Sequence, residues 1–163
     1  MRSKIKNGFG LLEIVIAVAI IGGTIFSLAY VFLISNKLEA RASNQIRANF
    51  LAEEGLEALR FLRDKSWSIN LAGLNAATTY YLSFNASNSS WNVTTSNPGL
   101  IDGLYARSFG VEAVNRNGSD DIVGSGGTLD SNTKKFTVNV AWQERGAYFT
   151  TTLGTYLSDI FSN

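Results

Sequence analysis

The longest hydrophobic run of the chain lies near its N-terminus, where residues 14–34 carry no charged side chain. At about 1.5 Å of rise per residue, a helix of this run spans roughly 30 Å, the thickness of the hydrocarbon core of a bilayer. The run is longer than the roughly 7–15 apolar residues of a secretory signal, and no small-residue cleavage site follows it. The pattern therefore predicts a helix that crosses a membrane once.

Beyond this run, mostly apolar residues recur every three or four positions, which is the spacing of residues on one face of a helix. The positions are Leu38, Ala42, Ile46, Asn49, Ala52, Leu56 and Leu59. No proline interrupts the chain before Ser66, so we expect one helix from Phe9 to Asp64, roughly 84 Å long. Residues 35–65 are then an amphipathic continuation of the membrane helix, with one face packed on the domain that follows.

After Ser66 the sequence changes to short alternating segments separated by Ser, Thr, Asn and Gly. Strand patterns occupy residues 78–84, 91–95, 105–114, 136–143 and 147–157, and Glu144-Arg145-Gly146 predicts a hairpin turn between the last two. The predicted buried faces of that hairpin carry Phe136, Val138, Val140 and Trp142 on one strand and Phe149, Leu153 and Leu157 on the other. We therefore predict an α+β fold, in which the long N-terminal helix packs on an antiparallel sheet of about four strands.

The composition restricts the chemistry that is available to the chain. It has no cysteine and no histidine, which excludes disulfides, thiolate or imidazole metal sites, and catalysis by a Ser-His or Cys nucleophile. From residue 65 onward, six Lys and Arg residues face seven Asp and Glu residues, so no basic surface for nucleic acid is predicted. We expect a protein that is not an enzyme and that needs no cofactor.

The N-terminal charges predict how the helix is oriented in the membrane. Residues 1–8 contain Arg2, Lys4 and Lys6 and no acid, and they come directly before the apolar run. Basic residues on one side of a membrane span favour the cytoplasmic side. We therefore expect a cytoplasmic N-terminus and an extracytoplasmic C-terminal domain.

One acidic residue, Glu13, stands at the start of the apolar run, five positions after Gly8. A carboxylate in a membrane span costs about 2–3 kcal/mol at the centre and less near an end. A cut between Gly8 and Phe9 would give Phe9 a cationic α-amine, which Glu13 of an adjacent subunit could neutralise. Glu13 is then expected to set the register between packed helices.

The segment Lys6-Asn7-Gly8-Phe9-Gly10-Leu11-Leu12-Glu13 resembles the leader and cleavage site of type IV prepilins and type II secretion pseudopilins. The resemblance implies that residues 1–8 are a leader, that Gly8 is its last residue, that Phe9 becomes the N-methylated terminus and that Glu13 assists assembly. Gly10 departs from the Thr or Ser that is common after the Phe, but it touches neither the cut nor the charge pair. Residues 52–57 also resemble minor pilins of the PilV or GspI type.

The resemblance implies a minor pilin or pseudopilin of a type IV pilus or related filament. Its expected parts are the leader (1–8), the membrane and filament-core helix (9–34), the amphipathic helix (35–65) and the extracytoplasmic head (66–163). Its expected location is the plasma (inner) membrane and, after assembly, an extracellular filament. The implied partners are the prepilin peptidase, which is also the N-methyltransferase, the lipid bilayer, other pilin subunits and assembly-platform proteins.

Two alternative functions remain open at this point. The subunit could belong to a type II secretion piston, or it could be a membrane-tethered module that binds a ligand or surface through loops 85–90 or 115–131. Pilus, secretion and DNA-uptake machines all use the same subunit plan, and the resemblance does not distinguish between them.

Three local patterns carry competing interpretations. One is an acidic cluster on the predicted helix, formed by Glu53, Glu54 and Glu57. We interpret it as a stripe that faces solvent or another subunit, in preference to a catalytic or metal site. Residues 124–127, Gly-Ser-Gly-Gly, lack the Lys-Ser/Thr ending and the following helix of a phosphate loop, and they predict a surface loop. Gly22 and Gly23 in mid-span are compatible with a flexible point, with close helix contact or with the ordinary frequency of glycine in membrane helices.

A turn-rich segment places several oxygen ligands close together in the sequence. It contains Asn115, Asn117, Ser119, Asp120 and Asp121, and its spacing matches no EF-hand loop. A surface turn is the favoured interpretation. The alternative, suggested by the calcium-binding loops of some pseudopilins, is a Ca²⁺ site formed by Asn117, Ser119, Asp120 and Asp121.

Overall fold

A computed structural model describes residues 10–161 of the chain. A single helix, α1 (Leu11–Lys65), begins where the Gly10 carbonyl accepts hydrogen bonds from the N–H groups of Glu13 (3.0 Å) and Ile14 (3.3 Å). The predicted helix is thus confirmed from Leu11 onward, and it ends one residue later than expected. The chain divides within α1, between Ser43 and Asn44, into two units.

The first unit contains the apolar part of α1. Its large hydrophobic side chains from Leu11 to Ile34 are exposed all around the helix, and its most apolar 18-residue stretch contains no buried residue. A helix that is apolar on every side belongs in a membrane or in a protein interior, because water cannot solvate it. By length and composition, α1 can cross a bilayer.

The second unit contains the end of α1, a short helix and six strands. The short helix α2 (Trp67–Asn70) is capped by Ser66, whose hydroxyl accepts from the N–H of Ile69. The strands are β1 (Tyr81–Asn85), β2 (Ser90–Thr94), β3 (Ala106–Arg116), β4 (Ile122–Val123), β5 (Thr128–Glu144) and β6 (Ala147–Ser158). All pairings are antiparallel, and the fold is α+β, as predicted.

The strands form two sheets where one sheet was predicted. β1 and β2 make a separate hairpin, and the other four strands are arranged in the order β4-β3-β5-β6. A bridge between Tyr80 and Phe109 connects the hairpin to β3. β5 begins at Thr128, eight residues before the predicted strand, because it follows β3 past a register shift at Ala113/Val114. That early part of β5 is polar, so it lacks the alternation that reveals a half-buried strand.

The β5–β6 hairpin agrees with its sequence pattern. Phe136, Val138 and Val140 are completely buried, and Trp142 is nearly so. On β6, Leu157 is buried, while Phe149 and Leu153 are partly buried against the same core. The turn residues Arg145 and Gly146 have φ angles of 51° and 86°, as a two-residue hairpin turn requires.

The helix face that packs on the sheet differs from the predicted one. The buried positions of α1 are Ala48, Leu51, Ala52, Gly55, Ala58, Leu59 and Leu62. Only Ala52 and Leu59 belong to both sets, whereas Ile46 is exposed. The buried face is made mainly of small residues, which let the helix approach the sheet closely. The sequence pattern gave weight to the larger apolar residues instead.

Gly55 lies at the closest approach of α1 to the sheet. A Cβ atom at this position would lie 2.9 Å from Cγ1 of Val138 and 3.3 Å from Cδ of Arg107. Val138 is β-branched and completely buried, so it has little freedom to move. A glycine in a helix costs about 1 kcal/mol relative to alanine. The close contact with β5 accounts for its presence here.

Gly55→Leu is expected to lower the free energy of unfolding by about 1–3 kcal/mol, because a good helix former is forced into a filled space. Urea unfolding of the full chain in detergent, followed by tryptophan fluorescence, would measure the loss. Glu53→Leu places the same side chain on the exposed face of the same helical turn and should change the value by less than about 0.5 kcal/mol. Equal stability of the two variants would contradict this account of Gly55.

Candidate functional site

Glu13 lies in the first turn of α1, surrounded along the helix by exposed apolar side chains such as Leu12 and Ile14. The free N–H groups of a helix N-terminus favour a carboxylate by about 0.3–1 kcal/mol, which is less than the roughly 2–3 kcal/mol that an acid costs at the centre of an apolar span. Among residues 10–161, no cation forms an ion pair with Glu13. A positive group nearby would offset this cost when the helix is surrounded by lipid or by other helices.

Gly8 and Phe9, the predicted cleavage position and mature terminus, lie outside the described residues. Cleavage between them and methylation of Phe9 therefore stay predictions. The mid-span glycines Gly22 and Gly23 lie within the helical part of α1, and a Cβ on either would meet no atom within 4 Å. Both positions thus leave open space for a neighbouring helix.

A buried arginine joins three elements of the second unit. Arg107 extends from β3, and its side chain is only 5 % exposed. Its Nη1 donates a hydrogen bond to the Leu51 carbonyl (3.1 Å) and lies 3.3 Å from Oε2 of Glu54, while the guanidinium lies 5.2 Å from the Trp91 ring centroid. Burial lowers the pKa of Arg107, and the Glu54 carboxylate opposes that shift. Arg107 therefore links α1, β2 and β3.

Along the strand pattern at residues 105–114, Arg107 alternates with Tyr105 and Phe109, both of which are buried in the structure, but the pattern gave it no partner. A charge at such a position signals a buried ion pair, because an unpaired buried charge is too costly. The partner, Glu54, is far away in the sequence and belongs to an acidic cluster. The pattern alone did not show which member of the cluster turns inward.

The acidic cluster does not converge on one point. Glu54 turns toward Arg107, whereas Glu53 and Glu57 lie on the exposed side of α1, where Glu57 pairs with Arg60. Within residues 10–161, no group of three His, Cys, Asp or Glu side chains is arranged to hold a metal ion. The geometry favours a stripe facing solvent or another subunit.

The exposed side of α1 also carries large apolar residues. Ile46 and Phe50 are 55 % and 58 % exposed, and Phe61 is 45 % exposed. They lie on the face of the helix that points away from the sheet, together with Glu53 and Glu57. An apolar and acidic surface of this kind is typical of a contact with a partner.

The candidate calcium loop is organised by Asn117. Its Oδ1 accepts hydrogen bonds from the N–H groups of Ser119 (2.9 Å) and Asp121 (3.0 Å), while Asn115 pairs with Val123 within the sheet. The side-chain oxygen of Asn117 is thus already used to stabilise the turn. This arrangement is a side-chain-stabilised turn of the kind that asparagine favours.

Arg116 occupies the space between the acids beside this turn. Its Nη1 donates to the Asp120 carbonyl (2.7 Å), and its Nε donates to Oδ2 of Asp130 (2.7 Å). The hydrogen bond from Arg116 lowers the pKa of Asp130. A guanidinium therefore supplies the positive charge that a cation would bring, which favours the surface-turn interpretation. Calcium binding here stays the untested alternative to a surface turn.

Residues 124–127 connect β4 to β5, so a strand follows them where a phosphate loop would have a helix. Gly126 and Gly127 have φ angles of 71° and 74°. At Gly127, a Cβ would overlap the backbone carbonyl of Arg116, which requires glycine in this turn.

Comparisons of the chain with protein-family models, with curated proteins and with solved structures find no match. The function is therefore inferred from the residues of this chain and from the α+β fold with its exposed apolar helix.

Proposed function

We propose that this chain is a structural subunit, a minor pilin or pseudopilin, of a type IV pilus or related filament. It is inserted in the inner membrane, cut after Gly8 by a prepilin peptidase, methylated at Phe9 by the same enzyme, and assembled through α1. The observation that carries the proposal is Glu13, a single carboxylate in the first turn of a helix that is otherwise apolar and exposed up to Ile34.

The apolar part of α1 needs a non-aqueous partner at every stage. Lipid supplies it before assembly, and the basic residues before the span hold the N-terminus in the cytoplasm and the head outside. In a filament, the helices of neighbouring subunits replace the lipid, so extraction does not expose the helix to water. The exposure of α1 up to Ile34 supports such a second partner, because nothing in the described part of the chain covers it.

Glu13 gives this assembly a defined register. After cleavage, the cationic α-amine of Phe9 in one subunit pairs with Glu13 in the next. At about 4 Å and an effective dielectric constant of about 20, the attraction is roughly 4 kcal/mol before the cost of desolvation is subtracted. Helices displaced from this register would leave the carboxylate unpaired between apolar side chains. The charge pair therefore selects one register of neighbouring helices among the many that apolar contacts alone would allow.

The mature N-terminus tests this function directly. Mass spectrometry of the protein purified from membranes is expected to show a chain that begins at Phe9 and carries one added methyl group. Gly8→Ala is expected to block cleavage and leave residues 1–8 in place. Gly10→Ala is the matched control, and it should be processed normally.

A wild-type chain that keeps residues 1–8 and stays monomeric in the membrane would contradict the proposal. That outcome would favour the membrane-tethered binding module.

A further inference from the structure

A cavity of about 320 Å³ opens in the second unit, between the β1–β2 hairpin, the loop that leads to β3, and α1. Two charged side chains, Arg107 and Glu54, line it together with a larger number of apolar residues. Cavities of this size, with a few polar groups among apolar walls, are typical of small-molecule sites in proteins. The apolar residues of the wall are Leu82, Phe84, Trp91, Pro98, Leu100 and Ile101.

Arg107 has hydrogen-bonding capacity that its protein partners do not use. Its side chain is almost completely buried, and among residues 10–161 its acceptors are the Leu51 carbonyl and Glu54, both of which meet Nη1. Nε is also buried and finds no acceptor in the same part of the chain. A guanidinium carries five N–H donors, and leaving buried donors without acceptors is costly. A ligand that brings an acceptor to Arg107 would therefore bind favourably.

Glu54 leaves room for a second anionic group beside Arg107. Its carboxylate is 49 % exposed and lies 3.3 Å from Nη1, which is longer than the roughly 2.7–2.9 Å of a strong hydrogen bond between charged groups. A carboxylate that approaches the edge of a guanidinium can accept two parallel hydrogen bonds, which Glu54 does not do here. Because Glu54 is half-exposed, it can turn toward solvent when a ligand binds.

The loop wall of the cavity is held in place by contacts outside the cavity. Ile101 and Tyr105 exchange two backbone hydrogen bonds, at 2.8 Å and 2.9 Å. The next residue of the loop, Asp102, pairs with Arg47 of α1 at 2.7 Å. A ligand would not have to order this loop, so little binding free energy is lost when it enters.

We infer that this cavity binds a small carboxylate with an apolar or aromatic body. Arg107 receives the carboxylate, while Trp91 and Phe84, whose ring centroids are 5.1 Å apart, pack against the body of the ligand. The guanidinium suits one negative charge, and the apolar walls suit an organic group. The site lies within the second unit and does not depend on the filament function.

Binding of 3-phenylpropionate to the full chain in detergent tests the site, with 3-phenylpropan-1-ol as a neutral analogue of the same shape. In an NMR titration of the ligand, corrected for binding to empty micelles, the carboxylate is expected to bind with a millimolar Kd or tighter. It should bind at least about tenfold tighter than the alcohol. Inorganic phosphate, which has charge but no apolar body, should not compete. No binding of the carboxylate, or equal binding of the two analogues, would overturn the proposal.

Arg107→Met removes the guanidinium and should weaken binding of 3-phenylpropionate at least about tenfold, while binding of the alcohol stays unchanged. Unchanged binding of the alcohol shows that the cavity is intact. Arg60→Met makes the same substitution on α1 outside the cavity and should bind the carboxylate as the wild type does. If Arg107→Met also binds the carboxylate with wild-type affinity, Arg107 does not receive it and the proposal fails.

Two further substitutions distinguish a ligand site from an ion pair with a structural role alone. Glu54→Gln removes the negative charge beside Arg107 and should tighten binding of 3-phenylpropionate about threefold or more. Phe84→Ala, at a position that is more than half exposed, should weaken binding of the carboxylate and the alcohol alike, because it removes part of the apolar wall. Weaker binding by Glu54→Gln, or wild-type affinities in Phe84→Ala, would contradict this placement of the ligand.

Discussion

Glu13→Gln is expected to reduce incorporation of the subunit into filaments at least about tenfold, while its insertion in the membrane stays unchanged. Glutamine keeps the size and polarity of the side chain but removes the negative charge. The Phe9 amine of the next subunit would then be placed among apolar helices without a counter-charge. Membrane insertion depends on the apolar run and the basic residues before it, and neither is altered.

The measurement compares two fractions of the same cells: subunit sheared from the surface with filaments and subunit retained in membranes. Glu39→Gln makes the same chemical change on α1, outside the apolar part, and should not alter the ratio of the two fractions. Normal incorporation of both Glu13→Gln and Glu13→Ala would rule out the charge-pair mechanism. The mature N-terminus of each variant should be checked, so that a cleavage defect is not mistaken for an assembly defect.

Glu54→Ala is expected to destabilise the second unit by about 2–3 kcal/mol, more than Arg107→Met, which should cost less than about 1 kcal/mol. Glu54 is 49 % exposed, so removing its side chain loses little packing, but it leaves the buried guanidinium of Arg107 without a counter-charge. Because Glu54 is half-exposed, the expected loss is smaller than that for a fully buried pair. Arg107→Met removes the charge itself and keeps an unbranched apolar side chain under α1.

Urea unfolding of the full chain in detergent would give both free energies. Glu53→Ala is the matched control, because Glu53 lies in the same turn of α1 but points away from Arg107; it should change stability by less than about 0.5 kcal/mol. A larger loss for Arg107→Met than for Glu54→Ala would show that packing of the arginine side chain, and not charge compensation, dominates at this position.

The sequence correctly predicted the helix, strand and turn segments whose structure depends on their own residues. The helix of the apolar run is indicated by the length of the run and its lack of charge, and the strand from Phe136 to Trp142 by its alternation; the structure confirms both. The Arg145-Gly146 turn is similarly local, because its backbone angles depend on those two residues. In these cases the physical cause of the local structure lies within a few neighbouring residues of the sequence.

Other features depend on partners that are distant in the sequence, and the pattern missed them. The polar start of β5 is a strand because β3 extends beside it, and not because its residues alternate. The buried face of α1 is set by how closely the helix approaches Val138, which favours Gly55 and alanines over the larger Ile46. The pair of Glu54 with Arg107 joins two residues that no local rule connects.

The small-residue face of α1 has a consequence for where the second unit can be separated from the apolar part of the helix. The buried residues of α1 between Ala48 and Leu62 fill the interior beneath the sheet, so they belong to the second unit as much as the strands do. A protease that cut after Lys65 would release a sheet whose apolar face is no longer covered by α1. Such a fragment would unfold or aggregate. The shortest soluble fragment that keeps its interior intact therefore starts near Asn44, at the boundary between the two units.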